Sequence, residues 1–179
     1  MSPKPKKVSQ SKLLPLAKPY APPSPLTALE KKAIIIAVES AFMKLRNLYE
    51  RITPVFDQYG FKAPSAGVIA RDLSEKIETS IIQHCKTFHR GLGFADLARG
   101  KDRWEVKICK NGGLAINQSA VIKGENYIVV NYHRETEIKK IFILWAAQDE
   151  FFSERKRNAN IRHMRGDAAK AHIETIFPI

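Results

Sequence analysis

Segment 94–107 constrains the fold most, because it forms a predicted hairpin whose register follows from its turn. Gly100 and Lys101 make a two-residue loop with glycine at the first central position, which is typical of a type II′ turn. Pairing outward from this turn sets Asp96 directly opposite Glu105. Opposed side chains on a sheet have Cβ atoms about 5 Å apart, and like charges there destabilise the pair unless something compensates them.

Side-chain alternation divides the hairpin into two faces and places Asp96, Glu105 and Lys107 on one of them. The other face is apolar and carries Ala95, Leu97, Trp104, Val106 and Ile108. A divalent cation would compensate the carboxylates, since Mg²⁺ takes oxygen ligands and keeps positions for water and a phosphate. Lys107 would then orient or deprotonate a water. The alternative is an amphipathic hairpin with solvated acids, in which Lys107 only pairs with Glu105.

The charge of the chain indicates a polyanionic partner. Thirty Lys and Arg residues against eighteen Asp and Glu give a net charge of +12 over 179 residues, and nucleic acid is the simplest partner for such a chain. The apolar run 33–38 is far too short to span a bilayer, so no membrane partner is expected. Cys85 and Cys109 fit neither a disulfide framework nor a zinc site, which favours a cytoplasmic location.

Residues 1–25 differ in composition from the rest of the chain, with seven of the ten prolines, five lysines and no acidic residue. Such a composition cannot form a core, so it predicts a disordered, flexible basic arm that either contacts nucleic acid or only keeps the protein in solution. Residues 26–179 are predicted to form a single domain. Its first helix begins with a Thr-x-x-Glu capping box at Thr27 and Glu30, and is expected to end before Pro54.

A second helix is predicted over residues 67–88, where apolar residues recur at helical spacing. On a helical wheel Glu78 lies at the edge of the apolar stripe, so it is the acid of this helix that we expect to face inward. His84 falls within the stripe, where a histidine is more often a satisfied core residue than a catalyst.

The remaining elements complete an α/β pattern. Residues 114–123 are predicted as a helix that carries Gln118, and residues 167–176 as the last helix. Residues 126–132 and 138–146 are apolar and β-branched, which predicts two buried strands. Together these elements indicate an α/β sandwich with a mixed central sheet flanked by helices.

Segment 151–165 is predicted to be a loop that combines positive charge with amide side chains. Arginine binds phosphates in a bidentate manner and asparagine can pair with an adenine edge, so the segment is a candidate DNA-contacting loop. Its candidate residues are Arg155, Lys156, Arg157, Asn158, Asn160, Arg162 and Arg165. The alternative is a solvated basic surface.

The order of these parts resembles the restriction-endonuclease-like nuclease superfamily, written PD-(D/E)xK. The resemblance spans about residues 68–146 and consists of a helix with Glu78, then Asp96, then Glu105-Val106-Lys107, followed by an amide-bearing helix and two buried strands. It implies a restriction-endonuclease-like sandwich. Ala95 stands where the proline of the family's name would be.

The resemblance also implies roles for individual residues. Asp96 and Glu105 would bind Mg²⁺, or Mn²⁺ in its place, and Glu78 would add to the metal site. Lys107 would assist the attacking water, and Gln118 would join these residues. The implied activity is that of a Mg²⁺-dependent endonuclease that cuts DNA, in a type II restriction-like form. A homodimer is among the arrangements left open. Two alternatives remain open: a non-catalytic nucleic-acid-binding module, and a subunit of a larger DNA-processing assembly.

Overall fold

A mixed six-stranded sheet organises the chain in a computed structural model that describes residues 19–62, 73–93, 95–110, 113–120, 122, 124–133, 137–155 and 159–178. The helices are α1 (Ala28–Gln58), α2 (Leu73–His84) and the short α3 (Gly166–Ala169). The strands are β1 (Phe88–Arg90), β2 (Leu97–Arg99), β3 (Asp102–Lys110), β4 (Ala115–Asn117), β5 (Asn126–His133), β6 (Glu137–Leu144), β7 (Ile161–His163) and β8 (Ile173–Phe177).

The sheet has the strand order β1-β2-β3-β5-β6-β8. Strands β3 and β5 run parallel, and the other neighbouring pairs run antiparallel. Strands β4 and β7 form a separate two-stranded antiparallel ribbon. The predicted α/β class with a mixed central sheet is therefore confirmed.

The predicted hairpin register is confirmed over three residue pairs. Leu97 pairs with Trp104, and the ladder continues to the turn, where Gly100 has a φ of 60°. A positive φ at this position is what a type II′ turn requires. The expected fourth pair, Asp96 with Glu105, is not part of the ladder, because the chain turns away at Asp96.

Helices α1 and α2 cover one face of the sheet. Their apolar stripes pack on Trp104 and Val106 of β3, as the alternation predicted. The capping box is also confirmed, since the Thr27 side chain accepts from the Glu30 N–H and the Glu30 carboxylate accepts from the Thr27 N–H. Helix α1 nevertheless continues through Pro54, which is exposed and removes only one backbone donor. Within the described residues, no helix has both the length and the apolar character needed to cross a membrane.

The opposite face of the sheet is covered by the β4–β7 ribbon, α3 and residues near them. Leu114 and Ile116 are buried there, together with Phe151 and Phe152. The predicted helix over 114–123 is wrong, because the alternating burial of Ala115–Asn117 suits a strand that pairs with β7. Part of the predicted loop 151–165 is likewise the strand β7.

Two further helix predictions need correction at their ends. Helix α2 ends at His84 instead of continuing to residue 88, because Phe88 begins a strand and is buried in edge-on contact with Trp104 at 5.4 Å between ring centroids. Residues 63–72, which contain the predicted start of this helix, lie outside the described residues. The predicted helix 167–176 forms only in its first part, as α3 and a 3₁₀ turn over Lys170–His172. Residues 173–176 belong to strand β8, whose isoleucine and threonine residues favour an extended chain on the edge of the sheet.

Residues 19–25 lie against the domain, so the predicted boundary of the arm at residue 25 is too far along the chain. The Tyr20 ring stacks on His172 at 4.4 Å, and the Tyr20 N–H donates to the Ala171 carbonyl. Arg99 donates to the carbonyl oxygens of Ser24 and Pro25 at 2.8 and 3.1 Å. Residues 1–18, with all five lysines of the predicted arm, lie outside the described residues.

The same arginine forms a buried ion pair with Glu30. Arg99 Nε donates to Glu30 Oε1 at 2.7 Å, and Thr87 Oγ1 donates to the same oxygen at 2.6 Å. Burial alone would raise the pKa of Glu30, but the hydrogen bonds from Arg99, Thr87 and Thr27 lower this pKa from 4.5 to about 2. The ion pair thus links the start of α1 to strand β2 and to residues 24 and 25.

We expect Glu30→Gln to lower the free energy of unfolding at pH 7 by roughly 1.5–3 kcal/mol, because hydrogen bonds to a charged group are lost. A lowered pKa stabilises the fold fully above pH 4.5, and this contribution disappears as pH falls from 4.5 toward 2. Denaturant unfolding at pH 7, 4.5 and 3 should therefore show a smaller pH dependence in the variant than in the wild type. Glu39→Gln, at an exposed position of α1, is the control. Equal pH dependence in wild type and Glu30→Gln would contradict this role.

Candidate active site

Three structural elements bring the predicted site residues together. Glu78 projects from α2 and is buried, with 7% of its surface exposed, as its position on the helical wheel predicted. Asp96 lies just before β2, and Glu105 and Lys107 lie on β3; all three are half-buried. Helix, loop and strand therefore each supply an acid to one end of the hairpin.

Asp96 is held in place by the backbone of β3. Its Oδ2 accepts a hydrogen bond from the Val106 N–H at 2.8 Å, although the residue lies outside the strand ladder. Its own carbonyl accepts from the Gly91 N–H at 3.2 Å. The sequence predicted that Asp96 lies directly across the strands from Glu105. In the structure the Asp96 side chain is bonded instead to the backbone of Val106, the residue after Glu105.

Two cations contact the carboxylates. Lys107 Nζ lies 2.8 Å from Glu105 Oε2, and Arg90 Nη1 lies 3.3 Å from Glu78 Oε2. The Arg90 side chain is 56% exposed, so its compensation of Glu78 is screened by water. The lysine–glutamate contact also agrees with the simpler alternative of a paired Lys107, so this contact alone does not indicate catalysis.

Burial and neighbouring charges raise the pKa values of Glu78 and Glu105. Burial is the main cause that raises the pKa of Glu78 from 4.5 to about 7, and the charge of Asp96 adds to it. Burial also raises the pKa of Glu105, despite the hydrogen bond from Lys107, and Asp96 and Glu125 add to this rise. Burial therefore disfavours the charged forms of Glu78 and Glu105 even though Arg90 and Lys107 lie beside them.

Glu125 and Tyr127 belong to the same surroundings and were not predicted. Glu125 is buried beside the start of β5, with Oε1 at 3.9 Å from Arg103 Nη1. Tyr127 is next to Glu105 in the parallel register of β3 and β5, and burial together with the neighbouring acids raises the pKa of its hydroxyl. Side-chain alternation along β3 could have placed Arg103 on the same face as Glu105 and Lys107. The positions of Glu125 and Tyr127 near the site depend on the pairing of β3 with β5, which local sequence does not reveal.

Two other predicted residues lie in different surroundings from those expected. Gln118 lies in the turn after β4, where its backbone N–H donates to the Asn160 carbonyl at 2.9 Å, so the helix that was to carry it does not form. His84 is exposed rather than buried in the stripe of α2, and its Nδ1 lies 2.8 Å from the Ser80 carbonyl oxygen. A role for Gln118 in the site stays a prediction.

The candidate DNA-contacting residues divide by exposure. Lys156, Arg157 and Asn158 lie outside the described residues. Arg155, Asn160 and Arg165 are exposed on the segment around β7, as the prediction requires.

Arg162 corrects this prediction, because its side chain is only 2% exposed. Its guanidinium donates to Asp149 Oδ1 at 2.6 Å and to the Ser153 carbonyl at 2.6 Å. Arg162 therefore binds the segment 149–153 to β7 and is not available to a phosphate. An alternating strand places every second side chain inward, and an arginine can occupy such a position when its donors are satisfied.

Asp96 and Glu105 are the two carboxylates that could contribute to a Mg²⁺ site completed by substrate. Among the residues that the structure describes, no three or more His, Cys, Asp or Glu side chains form a group able to hold a metal ion. Mg²⁺ is usually bound through one or two carboxylates and otherwise by water and substrate phosphate, so a closed protein cage is not required. Asp96 and Glu105 supply hard oxygen donors of this kind.

Known proteins add no assignment. The sequence matches no protein-family model, and no curated protein matches it significantly. Membership of the PD-(D/E)xK superfamily therefore stays a prediction, and the function must be inferred from the residues of this chain.

We expect Glu78→Gln to stabilise the protein at pH 8 in the presence of a chelator, by roughly 1–3 kcal/mol. The unfolded chain ionises this carboxyl near pH 4.5 and the folded chain only near pH 7, so the wild type loses stability as pH rises between these values. The variant has no such proton to lose, and denaturant unfolding from pH 5 to pH 8 should show a flatter profile. Glu50→Gln, at an exposed position of α1, should behave like the wild type. A variant that is no more stable than the wild type at pH 8 would contradict the raised pKa.

Proposed function

We propose that this protein is a Mg²⁺-dependent endonuclease that hydrolyses DNA phosphodiester bonds, with a restriction-endonuclease-like fold of the PD-(D/E)xK type. The observation that carries the proposal is the set of acids Glu78, Asp96 and Glu105 around the hairpin, with Lys107 2.8 Å from Glu105. Buried carboxyl groups with raised pKa values, such as Glu78 and Glu105, cost stability, and such groups are found more often at functional sites than elsewhere.

The element order supports the finer fold assignment. Helix α2 with Glu78 precedes an antiparallel β1-β2-β3 meander that carries Asp96, Glu105 and Lys107. The next strand of the sheet, β5, is parallel to β3, and β6 follows it as a second buried strand. The departure is the connection between β3 and β5, where strand β4 takes the place of the predicted amide-bearing helix.

Each residue of the site has a role in this proposal. Bound Mg²⁺ supplies a Lewis acid and compensates the charge that develops on the phosphate. Asp96 and Glu105 would hold it, and Glu78 would add negative charge beside them. Lys107 would orient the attacking water, whose oxygen bonds to phosphorus as the bond from phosphorus to the leaving sugar oxygen breaks. The attacking water gives up a proton to solvent, and the leaving oxygen takes a proton from solvent. The Val106 N–H keeps the Asp96 carboxylate in place throughout.

The charge of the chain supports DNA as the substrate. The net charge of +12 attracts a polyanion over a long range, while the exposed side chains of Arg155, Asn160 and Arg165 lie on one segment around β7. These residues can contact phosphates and base edges without taking part in the chemistry.

We expect Glu105→Gln and Lys107→Ala each to lower the rate of plasmid cleavage about a hundredfold or more, because each removes a group that acts on the reacting atoms. The rate is measured on supercoiled and single-stranded DNA in Mg²⁺, in Mn²⁺ and with a chelator, which should abolish cleavage. Asp102→Asn, at the turn of the same hairpin, is the matched control and should cleave at nearly the wild-type rate.

Wild-type cleavage by Glu105→Gln or Lys107→Ala would contradict the proposal. Asp96→Asn and Asp96→Ala separate chemistry from folding, because asparagine retains a carbonyl oxygen that can accept from the Val106 N–H. We expect Asp96→Asn to fold and to lose cleavage. DNA binding that is indifferent to metal, with no cleavage by the wild type, would instead favour a non-catalytic binding module.

A further inference from the structure

Helix α1 presents a row of apolar side chains to solvent. Leu29, Ile36 and Met43 recur at intervals of seven residues and are 80%, 40% and 56% exposed. Seven residues are nearly two turns of an α-helix, so these side chains form one ridge about 21 Å long. The ridge lies on the opposite side of the helix from Val38 and Leu45, which are buried in the core. We call it the α1 ridge.

A groove of about 550 Å³ runs beside one end of the α1 ridge. Its described lining includes Ile36 and Met43 of the ridge, together with Ile138 of β6 and Phe177 of β8. Leu29 is not part of this lining and projects from the other end of the ridge. The ridge therefore has an exposed leucine at one end and an apolar groove at the other.

Opposite charges flank the centre of the ridge. Lys32 and Glu39 are exposed and lie on the same side of the ridge, four residues before Ile36 and three residues after it. The described lining of the groove contains the two acids Glu39 and Glu137 and the single base Arg46. A lysine that approaches the groove would therefore meet a net negative charge.

These features make the ridge complementary to itself. A rotation by 180° about an axis beside Ile36, perpendicular to the helix, brings Leu29 of one copy opposite Met43 and the groove of another. The same rotation brings Lys32 opposite Glu39, and it does so twice. A two-fold interface requires such a pattern, because residue i contacts residue j while j contacts i. An unrelated partner would not require it, so the pattern favours a second copy of this chain.

We propose that the α1 ridge is the interface of a homodimer, in which α1 packs antiparallel against α1 of a second copy. Leu29 of each chain enters the groove of the other beside Met43, and Lys32 of each chain pairs with Glu39 of the other. A contact of this length is at the small end of interface sizes, so we expect a dissociation constant in the micromolar range. The interface does not depend on the endonuclease proposal.

The first test is sedimentation equilibrium of the wild type, from low micromolar to submillimolar concentrations. We expect the average mass to rise from 20.3 kDa toward twice that value as concentration increases. A mass of one chain at every concentration overturns the second copy as the occupant of the ridge. Unfolding measured well below the dissociation constant reports on the monomer, so Glu39→Gln remains the control for Glu30→Gln there.

Leu29→Asp tests the apolar contact. We expect it to weaken the dimer about tenfold or more, because a carboxylate would then enter an apolar groove with net negative charge. Aspartate is favourable in the first turn of a helix, so the variant should fold, which circular dichroism and thermal unfolding verify. Leu92→Asp changes another exposed leucine, in the loop after β1, and is the control. A dimer that Leu29→Asp leaves unchanged forms through another surface and overturns the proposal.

A charge reversal tests the antiparallel register. Lys32→Glu places like charges opposite each other twice, so we expect about a tenfold weaker dimer. Lys32→Glu combined with Glu39→Lys reverses both pairs and should restore the dissociation constant to within about threefold of the wild type. Lys44→Glu makes the same charge change at the groove between α1 and α2 and should have less than a twofold effect. Equal weakening by the single and the double variant, or no weakening by Lys32→Glu, overturns the proposed pairing.

Discussion

The hydrogen bond from the Val106 N–H to Asp96 Oδ2 is the interaction on which the candidate site depends. The backbone N–H and C=O groups of successive residues in a strand point alternately to its two neighbouring strands. The backbone groups of Trp104 and Val106 both point toward β2. Strand β2 ends at Leu97, so the Val106 N–H meets no carbonyl in the ladder. The Asp96 carboxylate takes the place of that carbonyl, which ends the strand pairing and fixes an acid beside Glu105 in a single step.

The two faces of β3 divide packing from chemistry. Trp104 and Val106 are buried beneath α1 and α2, where Trp104 contacts the rings of Phe88 and Trp145. Glu105 and Lys107 are on the opposite face, toward the β4–β7 ribbon. A well-packed apolar face holds the strand rigid, and this rigidity allows neighbouring carboxylates to remain close despite their repulsion.

The sequence predicted elements whose signals are local. The hairpin register followed from Gly100, the helix start from Thr27, and the inward position of Glu78 from helical spacing. Predictions failed where tertiary pairing overrides local preference: segment 114–123 contains strand β4, and residues 173–176 leave the predicted last helix to join the edge strand β8. Exposure of the basic segment was predicted from charge alone, which cannot reveal that a single carboxylate and nearby carbonyls bury Arg162.

The contrast between the global and the local charge bears on how a substrate would bind. The chain carries a net charge of +12, yet the charges of Asp96, Glu105 and Glu125 contribute to the raised pKa values of groups around the hairpin, among them the Tyr127 hydroxyl. Long-range attraction would bring DNA to the protein, whereas these acids would repel a phosphate at close range. A divalent cation reverses the local sign, because it binds carboxylates and phosphate at once. Under the proposed function, metal and DNA must therefore bind cooperatively at the hairpin, since each compensates a repulsion that opposes the other.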